Sequence, residues 1–269
     1  MKRFTIALII ALTFTASISA QRVMVGHRGS IWGVENSEEA FLNGIKNGYG
    51  AIECDVKTTK DNVFIINHDD NLDRLGVEGV NIHEHTAEYL QSLELKQTRD
   101  GVEYTAHLST LSEYLDICKK YDVIPVIELK YSHNLYWRLD DNSRFCYDGV
   151  PALIKLIRDK GMAEKAIILT SMKGVLVEIK KQAPEIDLQL LSRFTWEQHV
   201  DWCATHDISI DIQRTMDTTN MSKTFHDLGL KVNVWTINDP EEAQMLSKAG
   251  VDMITTDKLD VLEGFETEK

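Results

Sequence analysis

Eight short runs rich in β-branched and aliphatic residues recur along this chain, most of them separated by amphipathic stretches, and this alternation constrains the fold more than any other feature. The runs occupy residues 22–26, 51–56, 124–129, 166–170, 187–191, 208–212, 231–235 and 252–255. A parallel strand pair needs a crossover long enough for a helix, so the alternation predicts βα units around a parallel sheet. Helical patterns lie between the runs, for example 37–47 with Asn36 as its expected cap and Glu39 three residues on, and 240–248 after Asp239. Gly48, Gly161, Gly229 and Gly250 follow such patterns, where a left-handed cap is expected. Eight strands with no Gly/Pro/Ser linker between them predict an α/β chain closed into a (β/α)8 TIM barrel, one domain over 21–269.

Two segments exceed the minimal barrel. Residues 58–109 lie between the second and third barrel strands, with a further short strand expected at 63–67 and a helix near 88–93. Residues 131–149 follow the third strand and are far longer than an ordinary βα loop. Both leave the C-terminal ends of strands, the end at which barrels build active sites.

The first twenty residues carry Lys2 and Arg3, an apolar run to about Ala16 and small residues ending at Ala20. This is the pattern of a cleaved signal peptide, 1–20, and predicts an exported, periplasmic or secreted protein without a stable membrane anchor. No Cys near the expected cut offers a lipid attachment point. Cleavage would remove two cations and no acid, taking the formal charge from -13 to -15. Such acidity argues against nucleic-acid or polybasic membrane-surface binding, because both need a cationic face. The four cysteines lack CxxC spacing and read neither as a zinc site nor as a disulfide scaffold; a Cys118–Cys146 bridge stays open.

The strand ends hold the chemistry. The first ends in His27-Arg28-Gly29, the second carries Glu53 and Asp55, the extra strand ends in His68-Asp69, and the third carries Glu128 with Lys130 just beyond. Side chains alternate along a strand, so Glu53 and Asp55 share a face, as do Glu128 and Lys130. Three carboxylates at one barrel mouth, beside only Arg28 and Lys130, repel one another unless a divalent cation lies between them. Oxygen-only ligands suit Mg²⁺ or Ca²⁺ rather than Zn²⁺. Each residue alone has a bland reading as a salt-bridged carboxylate or a capping histidine; their joint position at one barrel face is what points to a site.

In order, His27-Arg28-Gly29, Glu35-Asn36-Ser37, Glu53-x-Asp55, His68-Asp69 with Leu72-Asp73-Arg74, Glu128-x-Lys130, Trp235-Thr236-Ile237-Asn238 and Ile254-Thr255-Thr256-Asp257 resemble the motif set of the glycerophosphodiester phosphodiesterases. The resemblance spans strand one to strand eight. It implies a barrel like that of the bacterial phosphatidylinositol phospholipases, with 58–109 matching a small insertion. It further implies metal ligation by Glu53, Asp55 and Glu128, acid/base roles for His27 and His68, phosphate binding by Arg28 and Lys130, and packing of Trp235 on glycerol carbons. The implied substrate is a small-molecule phosphodiester whose own glycerol hydroxyl attacks first, giving a cyclic phosphate that water opens, with His27 the chosen base.

Val34, Leu75 and the residue after Asp257 depart from the family pattern, which bears on loop shape rather than on the metal or the histidines. Aromatic residues at 131–147 suggest a lid over the alcohol half, or equally an aromatic cluster packed on a helix. Three rival readings remain. His83-Glu84-His85 lacks the spacing of helical zinc motifs. A glycoside hydrolase using Glu53 and Glu128 leaves His27, Arg28 and Lys130 without a task. A catalytically degenerate barrel that binds a phosphodiester or sugar is favoured only by loss of a histidine or metal carboxylate, and all are present.

Overall fold

A computed structural model describes residues 23–131, 138–139, 145–146, 148–214, 217–258 and 260–263. The expected signal peptide and most of 131–149, including the aromatic residues of the suggested lid other than Tyr131 and Phe145, lie outside the described residues.

Strand β1 (Val23–Gly26) leads through α1 (Glu38–Lys46) to β2 (Ala51–Thr58). The insertion then supplies β3 (Phe64–Ile66), α2 (Ala87–Ser92), β4 (Leu95–Arg99) and β5 (Val102–Ala106) before α3 (Leu111–Tyr121) returns to β6 (Ile124–Leu129). A two-stranded pair, β7 (Arg138–Leu139) with β8 (Phe145–Cys146), precedes α4 (Val150–Asp159) and β9 (Ile167–Thr170). There follow α5 (Lys173–Gln182), β10 (Asp187–Ser192), α6 (Val200–His206), β11 (Ser209–Gln213), α7 (Thr218–Asp227), β12 (Val232–Trp235), α8 (Pro240–Lys248) and β13 (Met253–Thr256). Strands β1, β2, β6 and β9 to β13 pair in parallel in that order, and β13 pairs back with β1. The sheet is therefore a closed eight-stranded barrel, as the alternation predicts.

Strand alternation sorts the core into two layers. Inward-facing Val25, Ala51, Val126, Ile167, Leu169 and Met253 fill the barrel, whereas Ile52, Cys54, Val56 and Ile127 pack outward with the helices. The inward positions two and four residues beyond Ala51 are Glu53 and Asp55, and those beyond Val126 are Glu128 and Lys130. The carboxylates thus stand at the mouth directly above an apolar plug. Tyr114 of α3 fixes these two strands against each other: its hydroxyl donates to the Ile52 carbonyl at 2.5 Å and accepts from the Val126 N–H at 3.2 Å.

The insertion carries its own apolar cluster, including Ile65, Leu72, Ile82, Leu90 and Leu95. Its β4–β5 hairpin was not foreseen, because both strands are largely exposed and show little apolar periodicity. A local signal existed: Asp100-Gly101 occupies the turn, both with positive φ, as a two-residue hairpin turn requires. One expectation is corrected and one open question is closed. The cap of α1 is Ser37, whose side chain accepts from the Ala40 N–H, because Asn36 is committed elsewhere. Cys118 is a buried free thiol, so it is not bridged to Cys146, and burial raises its pKa to about 12.

Candidate active site

The turn after β1 brings His27 and Arg28 over the barrel mouth. It does so at left-handed backbone angles, φ 52° for Arg28 and 92° for Gly29, and a Cβ on Gly29 would lie 2.7 Å from the Ala40 carbonyl carbon. In this conformation the Arg28 N–H donates to Glu53 Oε2 at 2.8 Å. Asn36 has a left-handed φ of 61° and aims its side chain at the same cluster. Its Nδ2 donates to Asp55 Oδ2 at 2.8 Å while its Oδ1 accepts from the Asp55 N–H at 3.1 Å.

One ligand oxygen from each of Glu53, Asp55 and Glu128 lies within 4.8 Å of the other two. Lys130 lies 2.9 Å from Asp55 Oδ1 and is also bonded to Glu128, and Arg28 Nε is 3.2 Å from Asp55 Oδ2. Burial opposes ionisation of Asp55, but Lys130, Arg28, His68 and Asn36 outweigh it and hold its carboxyl below the usual range. Glu53 and Glu128 go the other way: burial and then neighbouring carboxylates push both upward, Glu53 strongly. Glu53 Oε1 is buried without a hydrogen-bond partner. An orphaned carboxylate oxygen within an all-oxygen set of this spacing fits a divalent cation, whose charge would reverse the repulsion.

Both histidines are held by carboxylates. His27 Nδ1 is 2.7 Å from Asp257 Oδ1, and His68 Nδ1 is 2.6 Å from Asp69 Oδ1. Burial would raise Asp257, but His27, Asn238 and Arg99 bring it down to about 2. Burial also works against Asp69, where His68 and Arg74 bring the carboxyl below its ordinary range. Ionised carboxylates only accept, so Nδ1 carries a proton in each ring and Nε2 is the nitrogen left to exchange protons. Burial, with Lys130 and Arg28, lowers the pKa of His68 against the pull of Asp55 and Asp69.

A second layer ties these parts together. Asp69 Oδ2 accepts from Arg74 Nε at 2.8 Å, Arg74 donates two bonds of 2.6 Å to Glu35, and Glu35 accepts from Arg28 at 2.9 Å. Burial penalises the Glu35 anion, yet Arg74, Arg28 and Gln97 keep its pKa near 2. Gln97 of β4 exchanges bonds with Glu35, and Arg99 donates to the Ser30 carbonyl at 2.7 Å, so the insertion clamps the turn after β1. The enclosed cavity is about 250 Å³, with His27, Arg28, Glu53, His68, Glu128 and Lys130 on one side and Leu169, Leu191, Arg193, Asp211 and Trp235 among the residues of the other.

Residues 25–261 match the model of the glycerophosphoryl diester phosphodiesterase family. The chain belongs to that family. Membership in the glycerophosphoryl diester phosphodiesterases agrees with sequence and fold relatives alike. The glycerophosphodiester phosphodiesterase of Caldanaerobacter subterraneus subsp. tengcongensis is 26% identical over 248 residues, covering 89% of this chain and 96% of that protein. The crystal structure of a glycerophosphodiester phosphodiesterase from Thermotoga maritima superposes with a TM-score of 0.69 at 22% identity, covering 91% of this chain and 98% of the other. A phosphodiesterase of Oleispira antarctica, solved in complex with its product sn-glycerol-3-phosphate, gives a TM-score of 0.73 at 21% identity over 91% and 96% of the two chains.

All eight residues singled out from the family motifs, His27, Arg28, Glu53, Asp55, His68, Glu128, Lys130 and Trp235, meet at this cavity or its carboxylate cluster. His83 and His85 do not join them. His85 packs against the Tyr89 ring at a tilt of 33°, and among the described residues the only three-ligand group is Glu53, Asp55 and Glu128. The close spacing of Glu53 and Glu128 leaves no room for the water of an inverting glycosidase pair. Sequence reasoning quoted Glu35, Asn36, Asp69, Arg74 and Asp257 as motif letters without giving them tasks; Glu35, Asn36, Asp69 and Asp257 each hydrogen-bond a site residue, and Arg74 holds Glu35 and Asp69. It missed Arg193, just beyond the 187–191 run where the strand-end argument reaches it, and Asp211, a lone acid inside the 208–212 run.

Proposed function

We propose that this glycerophosphoryl diester phosphodiesterase family member is a metal-dependent hydrolase that converts glycerophosphodiesters to sn-glycerol 3-phosphate and an alcohol. The observation that carries the reading is the convergence, in one cavity, of two carboxylate-held histidines, two cations and an oxygen-only ligand set. Glu53, Asp55 and Glu128 would hold one divalent cation, Mg²⁺ or Ca²⁺, which when bound supplies charge to neutralise phosphate oxygens. Arg28 and Lys130 hold the same oxygens, the first as a fork and the second as a point charge.

His27, with Nδ1 committed to Asp257, takes the proton of the glycerol hydroxyl as that oxygen attacks phosphorus. His68 enters the step doubly protonated, its charge countered by Asp69 and the substrate phosphate, and gives its Nε2 proton to the departing alcohol oxygen as that oxygen's bond to phosphorus breaks. The product of this step is a cyclic phosphate on glycerol. Water then opens the ring with the two proton transfers reversed, restoring both imidazoles. Trp235 packs on the glycerol carbons. The substrate pool suggested by family resemblance, with the export signal read in the N-terminal sequence, is deacylated lipid headgroups outside the cytoplasm, and the acidic surface disfavours polyanions while admitting a small diester. No helix among the described residues is long and apolar enough to cross a membrane.

Phosphorus NMR of glycerophosphocholine incubated with purified protein and Mg²⁺ or Ca²⁺ tests the reading. Accumulation of sn-glycerol 3-phosphate, with no turnover of a diester lacking a hydroxyl next to the ester, is the expected result. Equal turnover of both diesters would exclude attack by the substrate's own hydroxyl.

A further inference from the structure

The wall of the cavity that faces the carboxylates carries polar atoms that the reaction described above leaves unused. Asp211 on β11 is 3% exposed, lines the cavity, and its Oδ1 has no hydrogen-bond partner. Trp235 on the neighbouring β12 lines the same cavity, and its indole Nε1–H is likewise buried and unpartnered. Asp211 pairs in register with Asn233, two positions before Trp235, so the side chains of Asp211 and Trp235 lie on the same face of the sheet. On its other side Asp211 pairs with Leu191, an apolar residue at the same level of the wall. A leucine at 211 would avoid the cost of an unpaired buried carboxyl, so the polar choice calls for a ligand that repays it.

We propose that Asp211 and the Trp235 indole N–H form a subsite that binds the terminal hydroxyl of the glycerol half of the substrate, the one that does not attack phosphorus. The proposal rests on the glycerophosphodiester reading and adds a specificity-determining residue to it. A hydroxyl both donates and accepts. The carboxyl oxygen and the indole N–H are complementary to it, and with one glycerol hydroxyl turned to His27 the terminal hydroxyl is left for this wall. The alternative occupant is the ammonium of a choline or ethanolamine leaving group. Arg193 opposes it: its guanidinium sits 5.6 Å from the Trp235 ring centroid on the same wall, where a second cation is repelled.

Calorimetric binding of sn-glycerol 3-phosphate and of ethyl phosphate to the Mg²⁺- or Ca²⁺-loaded protein tests the subsite. The two ligands share the phosphate and differ in the hydroxyls. The wild type should prefer sn-glycerol 3-phosphate by about tenfold or more. Asp211→Ala should cut that preference severalfold while ethyl phosphate binds as before; Asp211→Asn, which keeps an acceptor, should retain most of it. Trp235→Phe keeps the ring and removes only the N–H, and should lose part of the preference, which covers the case in which Asp211→Ala does not fold. An unchanged preference in Asp211→Ala, or in Trp235→Phe if the alanine variant does not fold, overturns the proposal, as does a loss of affinity that is equal for both ligands. Hydrolysis of glycerophosphocholine by the wild type is measured separately. A wild type that shows the Asp211-dependent preference but no hydrolysis would reject the hydrolase reading and leave the subsite standing.

Discussion

Replacing Asp257 with asparagine should cost more activity than the loss of one charge suggests, because the surrounding hydrogen bonds dictate how the new amide must sit. Asn238 Oδ1 accepts from the Asp257 N–H at 2.9 Å and from Thr256 Oγ1 at 3.0 Å, which fixes Nδ2 as its donating end. That Nδ2 donates to Asp257 Oδ2 at 2.8 Å, while Asp257 Oδ1 faces His27 Nδ1 at 2.7 Å. In Asp257→Asn the amide oxygen must stay toward Asn238, since two NH2 groups would otherwise oppose each other, so the introduced NH2 faces His27. Nδ1 then becomes the acceptor and the ring proton moves to Nε2, the nitrogen that has to accept the substrate proton. General base catalysis contributes about 10²- to 10⁴-fold, so kcat for glycerophosphocholine should fall by that range, equivalent to about 3–5 kcal/mol. Asp257→Ala removes the carboxylate without imposing the wrong tautomer and should fall less. Steady-state kinetics at saturating metal decide it. A kcat within threefold of wild type in Asp257→Asn, or an alanine variant clearly worse than the asparagine one, would refute the tautomer argument.

Other expectations follow from the same geometry. Glu128→Gln removes one charged oxygen ligand, and calorimetric affinity for Mg²⁺ or Ca²⁺ should drop about a hundredfold or more, since even outer hydrogen-bond partners of ligands are worth about 10–100-fold; unchanged affinity would move the metal elsewhere. Glu35 has its pKa near 2 through Arg74, Arg28 and Gln97, below its unfolded value, so its contribution is present above the unfolded pKa and lost as pH falls through about 2. Arg74→Gln should therefore lower stability to urea by about 1–2 kcal/mol at pH 7, discounted for the half-exposed arginine, with the difference from wild type shrinking toward pH 2; an equal difference at both pH values would locate the loss elsewhere. Gly29→Ala combines a φ of +92° with a 2.7 Å clash against the Ala40 backbone and should lower the melting temperature by several degrees; a melting temperature equal to wild type would show that the turn can adjust.

The barrel and its catalytic mouth were legible because period-two alternation fixes which side of a strand each residue takes. Placing Ala51 inside the barrel puts Glu53 and Asp55 inside as well, and the same parity links Val126 to Glu128 and Lys130. What stayed hidden depends on contacts distant in sequence. Nothing local shows that Asp257 meets His27, 230 residues away, or that Arg74 joins Asp69 to Glu35. The cap of α1 was misread because Asn36 and Ser37 are both good caps, and the choice is made by Asp55, which takes the Asn36 side chain. Asp211 went unnoticed because a lone acid in a β-run carries no motif; its meaning comes from burial and from the missing partner at Oδ1.

The central claim is that three carboxylates at the barrel mouth hold the cation that makes an acidic protein receptive to a phosphodiester. Hydrolysis of glycerophosphocholine by the purified protein, before and after EDTA and after restoring Mg²⁺ or Ca²⁺, with Glu53→Gln carried alongside, tests it most directly. Activity that vanishes with EDTA, returns with the metal and stays absent in Glu53→Gln is the result predicted. Turnover that persists through chelation and in Glu53→Gln would contradict it.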